Sequence, residues 1–338
     1  MSHEPKEVRL TEWGASVFAL VALFCCSAAS SQTVTPDEQR QQYLTIARIS
    51  TLEWRETQPF LIKTDFQLFD LDGKPAEKGL AEESWGADSP NHVEFNSPSL
   101  NLTNLSNEGD SIRTHNRESY LVRQLLASLV RPFPHIAAAS GFKMEQVSRE
   151  VGGSTLECFM VTSAKVSPGT AYCVDSLNRI IVMTGELFVI RRSNFKKFHD
   201  HENPMDMELS YEGKVALTMH VEEVDEPTTQ PKIRSKQTVS SAQFIPNSVM
   251  AGNILKKKNP EYPKQAKKKS IEGSVLITAL ISKEGTIEAL DIVASPDPLL
   301  TQSARDAVQT WTYRPYLLNG LPTEVDTTIT VNYNLNKH

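Results

Sequence analysis

His199-Asp200-His201-Glu202 is the most promising metal-ligand run in the chain. Imidazole and carboxylate donors suit Zn or Cu. Yet neighbours on an extended run point to opposite faces, and the flanks (Asn194, Lys196-Lys197, Asn203-Pro204) read as a solvated loop. No metal site is expected there. The chain also lacks a Gly-x-Ser-x-Gly elbow, a P-loop, a His-Glu-x-x-His run and a dinucleotide fingerprint. No catalytic residue and no cofactor are assigned, so the expectation is a protein that binds and does not catalyse.

The cysteines offer different chemistry. Cys158 and Cys173 flank Ser163 to Thr170, a turn between two apolar runs. Opposed strands would bring their sulfurs within bonding range. In an exported chain a disulfide is expected, closing a loop worth roughly 3 kcal/mol in the chain-entropy model. The alternative is two reduced, buried thiols. Cys25 and Cys26 lie in an N-terminal apolar run, and no metal-type Cys-x-x-Cys spacing occurs.

The elements that must position a binding site are clearest in the last 80 or so residues. Val275, Ile277, Ala279 and Ile281 alternate on one face of a strand. Gly285 serves a tight turn, and a return strand runs from Thr286 to Ser295. Asp297-Pro298 opens a helix, with Asp as cap and Pro in the first turn. Leu300, Ala304, Ala307, Val308 and Trp311 form its apolar stripe. Asn319-Gly320 marks a loop, and Val325 to Leu335 is a last strand. The order is ββαβ.

These residues, with Asn259-Pro260-Glu261-Tyr262-Pro263…Ala266 before the first strand and Trp311-Thr312-Tyr313-Arg314-Pro315 after the helix, resemble the TonB C-terminal domain family. The resemblance implies a periplasmic module that grips outer-membrane receptors. It implies partner contacts at Asn259, Tyr262 and Pro263 and along the last strand, at outward-donating positions such as Thr328 and Thr330. Asn259 stands where the family often has Gln. The mechanism would be β-augmentation, with the last strand as the natural edge. Dimers through edge strands would use the same surface. Trp311 and Tyr313 are expected to anchor helix to sheet, and Gly273 and Gly285 to permit turns. Two departures stand out. A folded body replaces the family's long Pro-rich spacer, and the N-terminal apolar run lacks the membrane His that couples to a proton motor.

At 338 residues there is room for two domains and a linker. The net charge of −6 argues against bulk nucleic-acid binding. It divides into about −8 before Ile245 and +2 after it, with Lys256-Lys257-Lys258 and Lys267-Lys268-Lys269 as a basic cluster that either is solvated or meets an acidic surface. The apolar run from Ala15 to Ala29 is shorter than the roughly 20 residues a span wants. Followed by Ser27-Ala28-Ala29-Ser30-Ser31, it fits a secretory leader, although Glu4, Glu7 and Glu12 are unusual in one. Residues 1–31 are therefore expected to be a signal peptide or a short inner-membrane anchor, which places the chain in the periplasm.

Residues 36–224 read as an antiparallel β-rich body with helices: one helix to about Ser50, another from Glu118 to Val130, and many short strands between turn residues. The element order resembles the LolA-like fold, a half-barrel whose hollow takes up acyl chains. The resemblance implies a lipid or lipoprotein carrier docked by the module, with Phe66, Leu68, Trp85, Phe95, Leu100, Leu102 and Phe159 as lining, although each also reads as ordinary core; beside it stand a TonB-family partner in energy-dependent transport, the reading favoured here, and a non-catalytic envelope scaffold. Residues 225–247, rich in Thr, Pro, Ser and Lys, read as a mobile linker, and 248–338 as the module. The fold class expected is α+β.

Overall fold

Alternation of apolar and polar residues at period two marks strands such as Phe60–Phe69 and Lys214–Asp225, which pair in one large sheet. The computed structural model describes residues 35–52, 58–86, 89–98, 101–107, 110–113, 120–133, 143–162, 169–227 and 242–335. The expected leader and Leu100 lie outside them. Twelve strands are β1 (Phe60–Phe69), β2 (Pro75–Gly86), β3 (Ser89–Asn96), β4 (Asn101–Asn107), β5 (Asp110–Arg113), β6 (Lys143–Val151), β7 (Ser154–Thr162), β8 (Ala171–Val174), β9 (Ile180–Thr184), β10 (Phe188–Phe198), β11 (His201–Tyr211) and β12 (Lys214–Asp225). They pair in the order β5-β4-β3-β2-β1-β12-β11-β10-β9-β8-β7-β6. Two meanders thus meet where β1 pairs antiparallel with β12.

The inner face of this sheet carries two helices. α1 (Pro36–Ser50) is about 22 Å long, close to the roughly 24 Å across five strand spacings. It lies across the strands. Gln39 Oε1 near its start accepts the Met144 N–H of edge strand β6 at 3.3 Å, and Arg48 O at its end lies 2.7 Å from His201 Nδ1 on β11. α2 (Tyr120–Val130) packs on β11 and β12, with Tyr211 donating its hydroxyl to Gln124 Oε1 at 2.5 Å. Tyr43, Phe133, Phe159 and Tyr172 form an aromatic cluster beneath them, with ring centroids 4.6–5.8 Å apart along its contacts. Burial pushes the Tyr172 hydroxyl well above the usual phenol range.

Two body expectations change. Residues 194–204 are not a solvated loop. β10 and β11 form a long hairpin that turns at His199-Asp200, so the charged run is mostly strand. β6 was not foreseen: Lys143, Glu145 and Glu150 are exposed and hide its alternation. On the outer face Cys158 lies opposite Cys173 across β7 and β8, and the two are disulfide-bonded.

The C-terminal part contains β13 (Gln243–Phe244), α3 (Asn247–Met250), β14 (Ile254–Lys256), α4 (Lys264–Lys268), β15 (Gly273–Ile281), β16 (Ile287–Ala294), α5 (Pro298–Val308), β17 (Thr312–Tyr313), β18 (Leu317–Leu318), β19 (Leu321–Pro322) and β20 (Val325–Tyr333). The ββαβ core is β15, β16, α5 and β20. Asp297 caps α5 by accepting the Leu299 N–H at 2.8 Å, with Pro298 in its first turn. Asn319-Gly320 forms the two-residue turn of a small hairpin, both residues at positive φ.

The expected linker is shorter than 225–247. β12 runs through Asp225, and Gln243-Phe244 already forms a strand parallel to β20. Met250 is buried in the module core. Residues 228–241 lie outside the described residues. Nor is the module separated from the body, because residues 36–338 form one compact unit. Val275, Ile277, Ala279 and Ile281 face α5, whereas Leu276 and Ala294, paired across β15 and β16, belong to the body's core cluster. Arg123 of α2 also stacks over Phe244 at 4.1 Å. The back of the module's sheet is apolar at that end because the body covers it.

Candidate functional site

The module's sheet has the order β13-β20-β15-β16. The last strand is therefore not a free edge along its whole length. Ile245 N–H donates to Asp326 O at 2.9 Å, and Thr327 Oγ1 donates to Ile245 O at 2.7 Å. β13 is only two residues long, so pairing on this side stops there. Strand alternation turns the backbone groups of Thr328, Thr330 and Asn332 the same way as those of Asp326. Among the described residues no strand pairs with β20 on that side beyond Asp326.

Beside this open stretch lies a groove of about 430 Å³, lined by Asn259, Pro260, Tyr262, Trp311, Thr330 and Asn332 among others. Its far wall is held rigidly. Tyr262 donates its hydroxyl to Ile271 O at 2.6 Å and meets Tyr333 edge-on at 5.3 Å. Trp311 donates its indole N–H to Lys258 O at 2.8 Å, and Lys257 Nζ stands 5.0 Å from its ring centroid. Lys267 Nζ is 5.4 Å from the Tyr262 ring centroid. The groove thus combines unpaired backbone donors and acceptors, two aromatic rings and a positive rim. That combination can hold an extended peptide.

The fold brings Asn259, Tyr262 and Thr330 to this one groove. Pro263 lines a neighbouring recess of about 540 Å³ against α5, and Thr328 sits one pleat along the same edge. Trp311 ties down the segment before the first strand as well as packing in the core. Tyr313 pairs with Ile254 and donates its N–H to Gly285 O at 2.7 Å. Gly285 sits at a turn with φ +85°, where an added Cβ would lie 1.9 Å from Tyr313 O. Gly273 starts β15 and does not serve a turn; its φ of +134° and tight fit against Pro296 and Glu212 are what require Gly.

The histidine run has other partners. Asp200 pairs with Arg48 at 3.0 Å, His199 with Glu226 at 3.3 Å, and His201 is buried against Arg48 O. Burial holds the His201 imidazole below its ordinary value. Among the described residues no group of three His, Cys, Asp or Glu side chains is arranged to hold a metal.

A trough of about 1060 Å³ on the outer face of the body, lined by charged and apolar side chains, was not foreseen. Its charges come from strands far apart in sequence, and they pair internally: Arg191 with Glu208 at 2.9 Å and His220 with Asp206 at 2.6 Å. Of the expected hollow lining, Phe66, Phe95 and Phe159 are buried in the body core, and Leu68 and Trp85 pack against it. The side chain of Leu102 lies outside the described residues.

Residues 258–335 match the family model described as Gram-negative bacterial TonB protein C-terminal. The chain is 30% identical over 96 residues to Protein TonB of Vibrio cholerae serotype O1, an overlap of 28% of this chain and 34% of that protein. The chain thus matches about a third of that relative's length. The solution structure of the Pseudomonas aeruginosa TonB C-terminal domain aligns with 25% of this chain and 87% of its own, at 24% identity and a TM-score of 0.23. A LolA superfamily protein of Nitrosomonas europaea aligns with 60% of this chain and 99% of its own, at 12% identity and a TM-score of 0.40. Both structures are loose likenesses. The C-terminal module is TonB-like, and the body is a β-rich α+β domain.

Proposed function

We propose that this is a non-catalytic envelope protein whose TonB-like module captures a protein partner of the outer-membrane receptor type. The partner's segment adds as a strand to the open stretch of β20, over the wall formed by Asn259, Tyr262 and Trp311. The observation that carries this reading is the end of β13 pairing at Asp326, beside the groove. The match to the TonB C-terminal family supports it, and supports a place in the cell envelope as well. Among the described residues no helix is long and apolar enough to cross a membrane. A role in energy-dependent transport is the finer form of this reading.

The test is main-chain specific. Thr330→Pro removes an outward donor and abolishes capture of a receptor peptide of the TonB-box type, whereas Thr330→Ser leaves it nearly intact. A folded Thr330→Pro protein that binds normally would sink the edge-strand mechanism.

A second reading, a carrier of an acyl chain in the body, has less support, because the expected lining residues Phe66, Phe95 and Phe159 are packed in the core. The inner face of the large sheet is a single apolar cluster under two helices. Co-purification of lipid with the full chain, read by native mass spectrometry, tests it.

A further inference from the structure

Strand β6 ends the large sheet, and among the described residues no strand pairs with its far side. It is nine residues long, Lys143 to Val151. A strand edge of that length is a template for another chain. Its hairpin with β7 fixes which backbone groups are open. Val151 and Ser154 flank a two-residue turn at Gly152-Gly153, both at positive φ, so they form a narrow, hydrogen-bonded pair. Counting back in twos, Arg149, Val147 and Glu145 also turn their N–H and C=O groups to β7. Met144, Gln146, Ser148 and Glu150 turn theirs outward. The Met144 N–H follows this parity, because it leaves the sheet to meet Gln39 Oε1 at 3.3 Å. That contact occupies one end of the edge and leaves Gln146 to Glu150 open.

The side chains beside this open stretch complement one another. Glu145, Val147 and Arg149 share the outer face of the sheet. Val147 is half-buried against the cluster around the Cys158–Cys173 disulfide. The Glu145 carboxylate is exposed and has no partner among the described residues. Arg149 donates to its neighbour's carbonyl, Ser148 O, at 3.0 Å and lies 3.6 Å from Met160 Sδ, and no described carboxylate pairs with it. A second copy turned about a twofold axis through Val147 runs antiparallel to the first. Glu145 of each copy then faces Arg149 of the other, and Val147 faces Val147. In the same register Gln146 lies opposite Ser148 of the second copy. Both residues direct their main-chain groups outward, so each such pairing exchanges hydrogen bonds in both directions. Slipping the partner by two residues sets Arg149 opposite Val147 or Lys143 and loses both charge pairs.

We propose that β6 is a homodimerisation strand, through which two copies of this chain pair antiparallel about Val147 into one continuous sheet. Main-chain bonds supply affinity, and the crossed Glu145–Arg149 pairs select the register. The central Val147 contact extends the apolar patch around the disulfide across the axis. This edge belongs to the body, so the dimer is independent of partner capture at β20 and leaves that groove open.

Sedimentation equilibrium of the full chain over a concentration series tests it. The wild-type protein should dimerise. Glu145→Arg or Arg149→Glu alone should weaken the dimer roughly 10-fold or more, because each sets like charges opposite one another on both sides of the axis. An equimolar mixture of the two variants should recover the wild-type constant, since every crossed pair is again opposite in sign. Ser148→Pro removes an outward donor and spares the β6–β7 ladder, and it should abolish the dimer, with far-UV dichroism as the folding control. The two charge variants keep the test decisive if Ser148→Pro does not fold. A wild-type protein that stays monomeric up to about 1 mM would overturn the proposal. So would a dimer that survives both charge reversals, which would place the interface elsewhere, or a mixture that fails to recover.

Discussion

The Glu212 carboxylate accepts the backbone N–H of Ser274 at 2.9 Å, tying the β11–β12 turn of the body to the first strand of the module. Gly273 sits directly against it. An added Cβ there would lie 3.2 Å from both Glu212 oxygens and 2.9 Å from Pro296. The module is therefore docked through a position that tolerates no side chain, alongside the apolar contact at Leu276 and Ala294.

Gly273→Val should lower stability by about 1–3 kcal/mol, through positive-φ strain and overpacking. Glu212→Ala should cost less than about 1 kcal/mol, because the bond is solvent-exposed. The double variant should cost less than the sum, since removing Glu212 gives the valine room. Urea unfolding of the four proteins measures this cycle, and strict additivity would place the strain elsewhere.

Met250 is 1% exposed in the module core although it precedes the family-matched segment that begins at residue 258. Met250→Ala should cost about 2–5 kcal/mol. Val249→Ala, at a site 47% exposed, should stay within about 0.5 kcal/mol. Comparable small losses at both sites would mean that the module core begins later in the chain.

His220 and Asp206 should show coupled titration. The hydrogen bond that Asp206 accepts from His220 Nδ1 raises the His220 pKa above its ordinary 6.5 and lowers that of Asp206 below its ordinary 3.8. The His220 contribution is fully present below 6.5 and fades as pH rises through the raised folded value. The Asp206 contribution is present above 3.8 and fades as pH falls through the lowered one. The pair therefore stabilises most between about pH 4 and 6.5, and only modestly, because both groups are largely exposed. In Asp206→Asn the His220 ring should titrate nearer its ordinary value, as read by NMR.

Replacing both Cys158 and Cys173 by alanine should cost roughly 3 kcal/mol for a loop closed at a separation of 15 residues. Non-reducing peptide mapping should find the two linked. A denaturation midpoint indifferent to reductant would show that the hairpin pairing alone holds β7 to β8.

Local pattern carried much of this protein. The ββαβ order from Gly273 to Tyr333, the Asp297 cap and the period-two run in β1 depend on neighbours within one strand or turn, so they are legible in the residues themselves. Cys158 and Cys173 could be paired because they sit on consecutive strands around a short turn. β6 and the β10–β11 hairpin were hidden because charged residues on a solvated face mask alternation, and the His199-Asp200 turn carries no Gly or Pro to mark it.

Tertiary structure alone decided the rest. That β20 is partly covered by Gln243-Phe244 depends on a pairing across some 80 residues. That Leu276 faces the body, and not water, depends on docking that no periodicity encodes. Arg192 reads in sequence as one more polar residue beside Arg191. Only the register of β10 against β11 turns it inward, while Arg191 faces out to Glu208. A one-residue shift would exchange the two, because side chains alternate across a strand. The sequence by itself thus determined which elements form, and the packing of distant elements determined which of their side chains are left to bind.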